Sequence, residues 1–388
     1  MAFFKELKTE IVNTFKNRDV IILLLLGPVA LTLLFGGIYL NSYVEDIPIA
    51  VLDEDNSSTS RMIVQQFDEN DRFVLKYTVD SQEELKNLLD SKKIHMGICI
   101  PPHFERDINK GQSSQVLILV DGTNMVVGNN SYAAASTIIQ TVSAGAEIKI
   151  LEGGGMVPRD AENVVNAFTF TDRTLYDPRM TYMNYLLLGY IAVFFQQVML
   201  SGVGISIIKD GSPIAREATL RKIFLKILSC AFFALVSVYG AILIAAGIFR
   251  VPIRGSILLS LAFCGIFAPA ISCPAIMIAS LAKDKLKFAQ ISFMLSLPTF
   301  VSCGYVWPQD QMPWILGTLI KLIWPLIYFA RPLDELLFKG SLPVRSALGL
   351  VLYTLVWMPA AIFMFKRSFK DGAGLENHNF PMLQERQI

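Results

Sequence analysis

The sequence predicts an α-helical integral membrane protein with six transmembrane helices and an inserted mixed α/β extracytoplasmic domain. Three observations predict it. Of 388 residues, 53% are hydrophobic and only 17% charged, whereas soluble domains carry about a quarter charged residues. Six charge-free stretches reach the roughly 20 residues that cross a hydrocarbon core about 30 Å thick: 20–44, 180–208, 227–249, 255–282, 288–309 and 346–365. Finally, the net charge of +1 conceals a split. Residues 45–179 hold 12 Lys+Arg against 21 Asp+Glu, and the remainder holds 22 against 12. An acidic, water-facing insert in a basic, apolar chain accounts for that asymmetry.

The first 18 residues read as an amphipathic surface helix. Phe3, Phe4, Leu7, Ile11 and Phe15 recur at three-to-four-residue spacing, with Lys5, Lys8, Glu10 and Lys16 on other faces. The next stretch, 20–44, is too long for a signal-peptide core, and no small-residue cleavage site follows it. It reads as the first span. The insert then alternates strand-like and helix-like runs: IPIAVLD (47–53), SSTSRMIVQQFDE (57–69), RFVLKYTV (72–79), DSQEELKNLLDS (80–91), HMGICIP (95–101), PHFERDINKG (102–111) and QVLILVD (115–121). Such alternation predicts a small α/β layer domain. Ser81 with Glu84 resembles a capping box. A long helix over 131–152 follows, ending at Gly153, Gly154 and Gly155.

The remaining spans enclose two polar features. Between spans 2 and 3, the loop 209–222 breaks at Gly211 and Pro213 and resumes as a helix, which suits contact with a partner protein or simply a positive-inside loop. Lysine and arginine set the orientation. With the N-terminus inside, the inner segments collect 16 of them, and the short outer segments collect six. Both termini are then cytoplasmic and 368–388 is a cytoplasmic tail. Segment 304–344 is apolar but interrupted by Pro308, Pro313 and Pro325 and holds Asp310 and Lys321. A seventh span there would reverse the final positive-inside end and place Lys321 at mid-bilayer, which costs on the order of 3 kcal/mol. The segment therefore reads as an outer re-entrant loop. Broken backbone at that depth must be buried by protein or line a cavity, so it is either a gate or a packed plug.

Several chemistries are not supported. Five cysteines, four of them in apolar runs, form no disulfide framework. Three histidines have no ligand spacing, and Asp53, Glu54 and Asp55 read as a strand-end turn. No G-x-x-x-x-G-K-[ST] run exists, so the chain carries no P-loop. No nucleophile–base pair can be proposed, and the chain is expected not to be an enzyme by itself. Gln196 and Gln197 in span 2 either line a pathway or hydrogen-bond between helices.

In this order, several stretches resemble the ABC-2 type permeases, the membrane subunits of ATP-driven exporters, in the branch with a large domain between spans 1 and 2. They are IPIAVLDEDNSSTSR (47–61), HMGICIPPHFERDINKGQSSQVLILVDGTN (95–124), LYDPRMTYMNYLLLGY (175–190), REATL (216–220) and GYVWPQDQMPWILGTLIKLIWPLIYFARPLDELLFKG (304–340). In REATL, Ala218 stands where the family has glycine, and the motif is one residue shorter. The resemblance implies a permease that moves a hydrophobic or amphipathic cargo outward, as in multidrug efflux, from a plasma or inner membrane. It implies a second permease copy, identical or homologous, and two copies of an ABC ATPase subunit that hold ATP and magnesium. Arg216, Glu217, Thr219 and Leu220 would couple to that ATPase. Gly304, Pro308, Met312, Pro313 and Pro325 would form the outer gate. Membrane lipids are partners by composition, and nothing suggests nucleic acid. A rival reading, a membrane-anchored scaffold or receptor without transport, fits the same spans but has no need of REATL.

Overall fold

A computed structural model describes residues 2–40, 44–167, 173–177, 181–216 and 219–371. Helix α1 (Ala2–Lys16) stops at Asn17, whose extended ψ of 93° turns the chain into α2 (Arg18–Ile38). The α2 side chains that are buried, Val20, Leu24, Pro28, Thr32 and Gly36, recur every four residues, one stripe of a helix whose other faces stay exposed. The chain continues through β1 (Ile47–Asp53), α3 (Ser58–Asp68), β2 (Phe73–Thr78), α4 (Gln82–Asp90), β3 (Met96–Ile100), α5 (Phe104–Asn109), β4 (Leu117–Val120), α6 (Met125–Gly153) and α7 (Pro158–Val165). It then enters α8 (Tyr182–Arg216), α9 (Thr219–Gly247), α10 (Ile257–Ala282), α11 (Lys285–Ser302), α12 (Trp314–Ile323), α13 (Ala330–Lys339) and α14 (Val344–Asp371).

Two compact units result. One comprises Asn41–Arg173, and the other Met1–Leu40 with Thr174–Ile388. Residues 174–177 thus belong with the helices rather than with the insert. Asp177 Oδ1 accepts a 2.8 Å hydrogen bond from Asn184 Nδ2, and Lys339 lies 5.8 Å from the Tyr176 ring centroid.

In the 41–173 unit the four strands are ordered β2-β1-β3-β4, with β1 parallel to β2 and β3, and β4 antiparallel to β3. Ile49, Val51, Ile63, Phe67, Ile98, Phe104 and Ile138 pack one face of the sheet under α3, α5 and α6. Ala50, Leu52, Leu85 and Cys99 pack the other under α4. Burial on both faces follows from the alternation of side chains along β1 and β3. The acidic turn after β1 is an interlocked hydrogen-bonded corner. Asp53 Oδ1 accepts from the Asp55 and Asn56 amides at 3.1 and 3.0 Å, and Asp53 Oδ2 accepts from Ser60 Oγ at 2.7 Å. Glu105 Oε1 accepts from Ser58 Oγ and from Thr59 Oγ1, while Asp55 Oδ2 accepts from the Glu105 amide at 3.0 Å. Two helix N-termini are thereby satisfied by carboxylates, the arrangement their exposed N–H groups favour. The reciprocal capping box is Ser57 with Ser60. Ser81 does cap Glu84 N, but Glu84 reaches past it toward the Asp80 amide, so the box expected there is only half made.

In the helical unit five helices are long and apolar enough to cross a membrane: α2, the 182–210 part of α8, the 220–247 part of α9, α10 and α14. A sixth results only if α12 and Pro325–Lys339, bent by 98° at their junction, count as one broken span. The expected span 288–309 differs from what forms. Helix α11 begins at the Asp284 cap and ends at Ser302. Its charge-free part, 288–302, is about 22 Å long at 1.5 Å per residue, short of the hydrocarbon thickness. The stop is conformational: Gly304 takes φ +84°, open to glycine and strained for other residues.

The loop expected at 209–222 is also different. Helix α8 continues to Arg216, and the irregular residue is Asp210 (φ −112°, ψ 18°) rather than Gly211 or Pro213. Pro213 is tolerated because it falls in the first turn after that kink, where its missing N–H has no partner to lose.

Candidate functional site

The helical unit builds two polar assemblies, one around the broken segment and one at the base of α9. At the first, α11 ends, Gly304 turns the chain, and a 3-10 turn (Gln309–Gln311) leads through Met312 and Pro313 into α12. A second 3-10 turn (Pro325–Tyr328) then leads into α13, which Gly340 (φ +72°) terminates. Pro308 and Pro313, with φ near −56° and −52°, frame the first turn on an exposed stretch. Gly304 and Pro325 are buried, and Met312 is half-buried. The five residues expected to act together are therefore divided between an inner anchor and an outer rim.

Each break frees backbone carbonyls, and side chains from other parts of the unit take them up. Ile323 O accepts from Tyr353 Oη at 2.7 Å, and Leu322 O from Trp357 Nε1 at 2.9 Å, both from α14. Gln309 Nε2 lies 3.1 Å from Ile327 O and 3.3 Å from Cys303 O. In an apolar surrounding an unpaired carbonyl costs several kcal/mol, so these contacts permit the bend to persist. Phe329 fixes the far side, its ring parallel to Phe267 within 3° at a centroid distance of 4.0 Å.

Gln196 is at the centre of the anchor. It is fully buried; its Oε1 accepts from Trp324 Nε1 at 2.8 Å, and its Nε2 donates to Thr299 Oγ1 at 3.2 Å. It thus joins α8, α11 and the α12–α13 junction, and of the two roles open to it the geometry displays the interhelical hydrogen bond. Gln197 is half-buried; its Nε2 reaches Ser201 Oγ at 3.4 Å and its Oε1 has no partner among the described residues.

Tyr305 is a contact that sequence reading missed. Its ring stacks on Tyr185 at 5.2 Å, its hydroxyl bonds the Tyr185 carbonyl, and Tyr185 Oη returns a 2.6 Å bond to Tyr305 O. Asp334 Oδ1 lies 3.3 Å from the same Tyr305 hydroxyl, which has one proton for the two acceptors. Gly189, one turn beyond Tyr185, makes the room: a Cβ there would overlap the Tyr305 ring. The spacing of Tyr185 and Gly189 on one helix face was the available signal.

The second assembly centres on Lys226. Only 8% of its side chain is exposed, and its Nζ lies 2.8 Å from Glu10 Oε1 on α1 and 2.6 Å from Asp210 Oδ2 at the α8 kink. Ser229 Oγ meets Thr14 Oγ1 at 2.8 Å, and Arg221 pairs with Glu6 at 2.8 Å. The apolar face of α1 completes the docking through Phe3 on Phe224 and Phe15 on Phe233. The α1 helix is therefore clamped to α9 and to the kink six residues before Arg216. Of the expected coupling residues, Arg216 ends α8, Thr219 starts α9, and Leu220 is exposed. Glu217 lies outside the described residues.

Comparison with known proteins agrees with this architecture. The family description "ABC-2 family transporter protein" matches residues 18–363. The chain is similar to the probable multidrug ABC transporter permease YbhR of Escherichia coli K12, 26% identical over 344 residues, covering 84% of this chain and 87% of that protein. It is similar also to the inner membrane transport permease YhhJ of the same strain, 25% identical over 311 residues, covering 76% and 77%. A match extending from α2 nearly to the end of α14, together with apolar helices of spanning length, makes this chain a member of the ABC-2 transporter family, a multi-pass membrane permease subunit.

Proposed function

We propose that the chain is the membrane half of an ATP-driven exporter, moving a hydrophobic or amphipathic cargo outward with energy from a separate ABC ATPase. Two ATPase copies and a second permease, identical or homologous, complete the assembly, and ATP and magnesium belong to the ATPase. Both termini face the cytoplasm and the 41–173 unit faces outward, as the lysine and arginine bias favours. Arg216, Glu217, Thr219 and Leu220 contact the ATPase. Gly304, Pro308, Met312, Pro313 and Pro325 belong to the outer gate.

The observation that carries this reading is the broken segment, whose bend is closed by side-chain hydrogen bonds from α8 and α14, with Thr299 of α11 holding Gln196 in place. Such bonds can be exchanged one set for another, which a switching element requires. The test is reconstitution of the chain with an ABC ATPase in proteoliposomes. ATP-dependent movement of an amphipathic dye is expected, with Glu217→Arg abolishing stimulation of the ATPase while the permease still folds. Flux without ATP, or full coupling in Glu217→Arg, overturns the coupling role. Absence of ATP-dependent movement for a panel of dyes favours the scaffold.

A further inference from the structure

The 41–173 unit has a cavity of its own. Helix α6 has 29 residues, about 44 Å at 1.5 Å each, whereas the strands beneath it have four to seven. The second half of α6 therefore outruns the sheet. Between that half, α3, α5 and the loop before β4 opens a cleft of about 470 Å³, within the range of small-molecule sites. Ile108, Val116, Ile139 and Val142 form its apolar wall above the buried Ile63 and Phe104. Ser113, Ser114 and Ser143 place hydroxyls at its edge, and Gln112 adds an amide. Glu147 is the one charged residue among the described residues lining it, is exposed, and forms no ion pair with another described residue.

We propose that this cleft is a binding site for a small organic cation with an apolar body. The wall supplies burial for the body, and the hydroxyl and amide edge orients it. Glu147 supplies the counter-charge. Residues 41–173 hold 20 Asp+Glu against 11 Lys+Arg, so the field of the whole unit concentrates cations at its surface and repels anions. A neutral lipid tail would fit the wall but would leave Glu147 unused. An anion would meet both Glu147 and the field of the unit.

The test is equilibrium binding, without ATP or ATPase, so its outcome is independent of whether the chain exports anything. The full chain in lipid nanodiscs is titrated with rhodamine 6G, read by fluorescence anisotropy, with empty nanodiscs subtracted. Saturable binding is expected, at least ten-fold tighter than for fluorescein, an anionic dye of similar ring system. Ser143→Phe, at an exposed position on the edge, fills the mouth without altering the core and should weaken binding at least ten-fold. Glu147→Gln should weaken it three- to ten-fold and flatten its salt dependence. Rhodamine affinity unchanged in Ser143→Phe overturns the site, because binding then lies in the helical unit or the lipid. Fluorescein bound as tightly as rhodamine, or wild-type affinity in Glu147→Gln, overturns the cation class.

Discussion

Gln196 Oε1 and Trp324 Nε1 are 2.8 Å apart although 128 residues separate them in the chain, and both side chains are buried. The bond ties the middle of α8 to the point where the broken segment bends. Replacing Gln196 with leucine removes it and strands the Trp324 N–H, while the Thr299 hydroxyl keeps its 2.9 Å bond to the Ser296 carbonyl. An unsatisfied buried donor costs about 1–3 kcal/mol. Gln196→Leu should therefore melt several degrees lower. All five cysteines are buried and free, so a thiol-reactive dye that fluoresces on exposure of cysteine reads this directly.

The Tyr185–Tyr305 pair makes a second, sharper expectation. Gly189→Ala pushes a methyl into the Tyr305 ring, and overpacking of this kind costs about 1–3 kcal/mol. Tyr305→Phe keeps the ring but removes the hydroxyl shared by the Tyr185 carbonyl and Asp334. Gly189→Ala should disturb the start of the broken segment, and its cost should disappear in a Tyr305→Ala background, where the ring it strikes is gone. Equal stability of Gly189→Ala and the parent chain in the thiol-dye melt would contradict the packing.

Lys226 is nearly enclosed, but Glu10 is 20% and Asp210 44% exposed. Its worth lies between that of an exposed pair, under 1 kcal/mol, and a buried one that loses a partner, 3–5 kcal/mol. About 2 kcal/mol is the expected loss for Lys226→Met. Neutralising all three groups, with Glu10→Gln and Asp210→Asn added, should recover most of it, since no charge is then stranded. If the coupling proposal holds, the stable triple variant still shows weaker ATPase stimulation, because α1 is released from the kink. Melting temperature and ATPase rate are measured on the same samples.

Much of the architecture was legible because its signals are local. Charge-free runs mark the apolar helices, and short apolar runs bounded by polar turns mark β1 to β4. What was not legible depends on distant chain segments meeting. The stop of α11 is set by a positive φ at Gly304, and the kink moved from Gly211 to Asp210, where Lys226 meets it from α9. Tyr353 and Trp357 read as ordinary span residues until α12 ends beside them. In the candidate site, the prolines announced a break, but the side chains that hold the break come from α8 and α14, and no spacing reveals such a set.

The acidic corner after β1 carries a pH expectation. Loss of water contact pushes the Asp55 carboxyl up, but hydrogen bonds from Ser57 and the backbone of 103–105 outweigh it and hold it below its ordinary 3.8. The Ser58 and Thr59 hydroxyls hold Glu105 below its ordinary 4.5. A carboxyl with a folded pKa below its unfolded one contributes stability fully above the unfolded value and loses it as pH falls through the folded one. The 41–173 unit should thus be unaffected between pH 8 and about 5 and weaken below about 4. Glu105→Gln should flatten that acid limb. Melts of the full chain from pH 3 to 7, followed by peptide-resolved protease cleavage in 53–61, check it, and an acid limb identical in Glu105→Gln would remove Glu105 from the account.

The broken segment offers two kinds of substitution that should separate rigidity from closure. Pro308 and Pro313 lie on its exposed rim with φ already near the proline value, so each restricts the unfolded chain more than the folded one. Replacing both with alanine should cost about 0.4–1 kcal/mol apiece and leave the bend in place. Tyr353→Phe acts differently. It leaves the Ile323 carbonyl at the end of α12 without its 2.7 Å donor, which is costly where lipid rather than water surrounds it. The strand-like turn at Trp324 and Pro325, which cannot continue the helix, is then held by fewer bonds and free to shift. If the segment is the gate, Tyr353→Phe should change dye flux in reconstituted vesicles by several-fold, and the double proline variant by less than two-fold. The reverse order, with the prolines dominant and Tyr353→Phe silent, would assign the gate to the rim at Pro308 and Pro313 and leave the buried hydrogen bonds as packing alone.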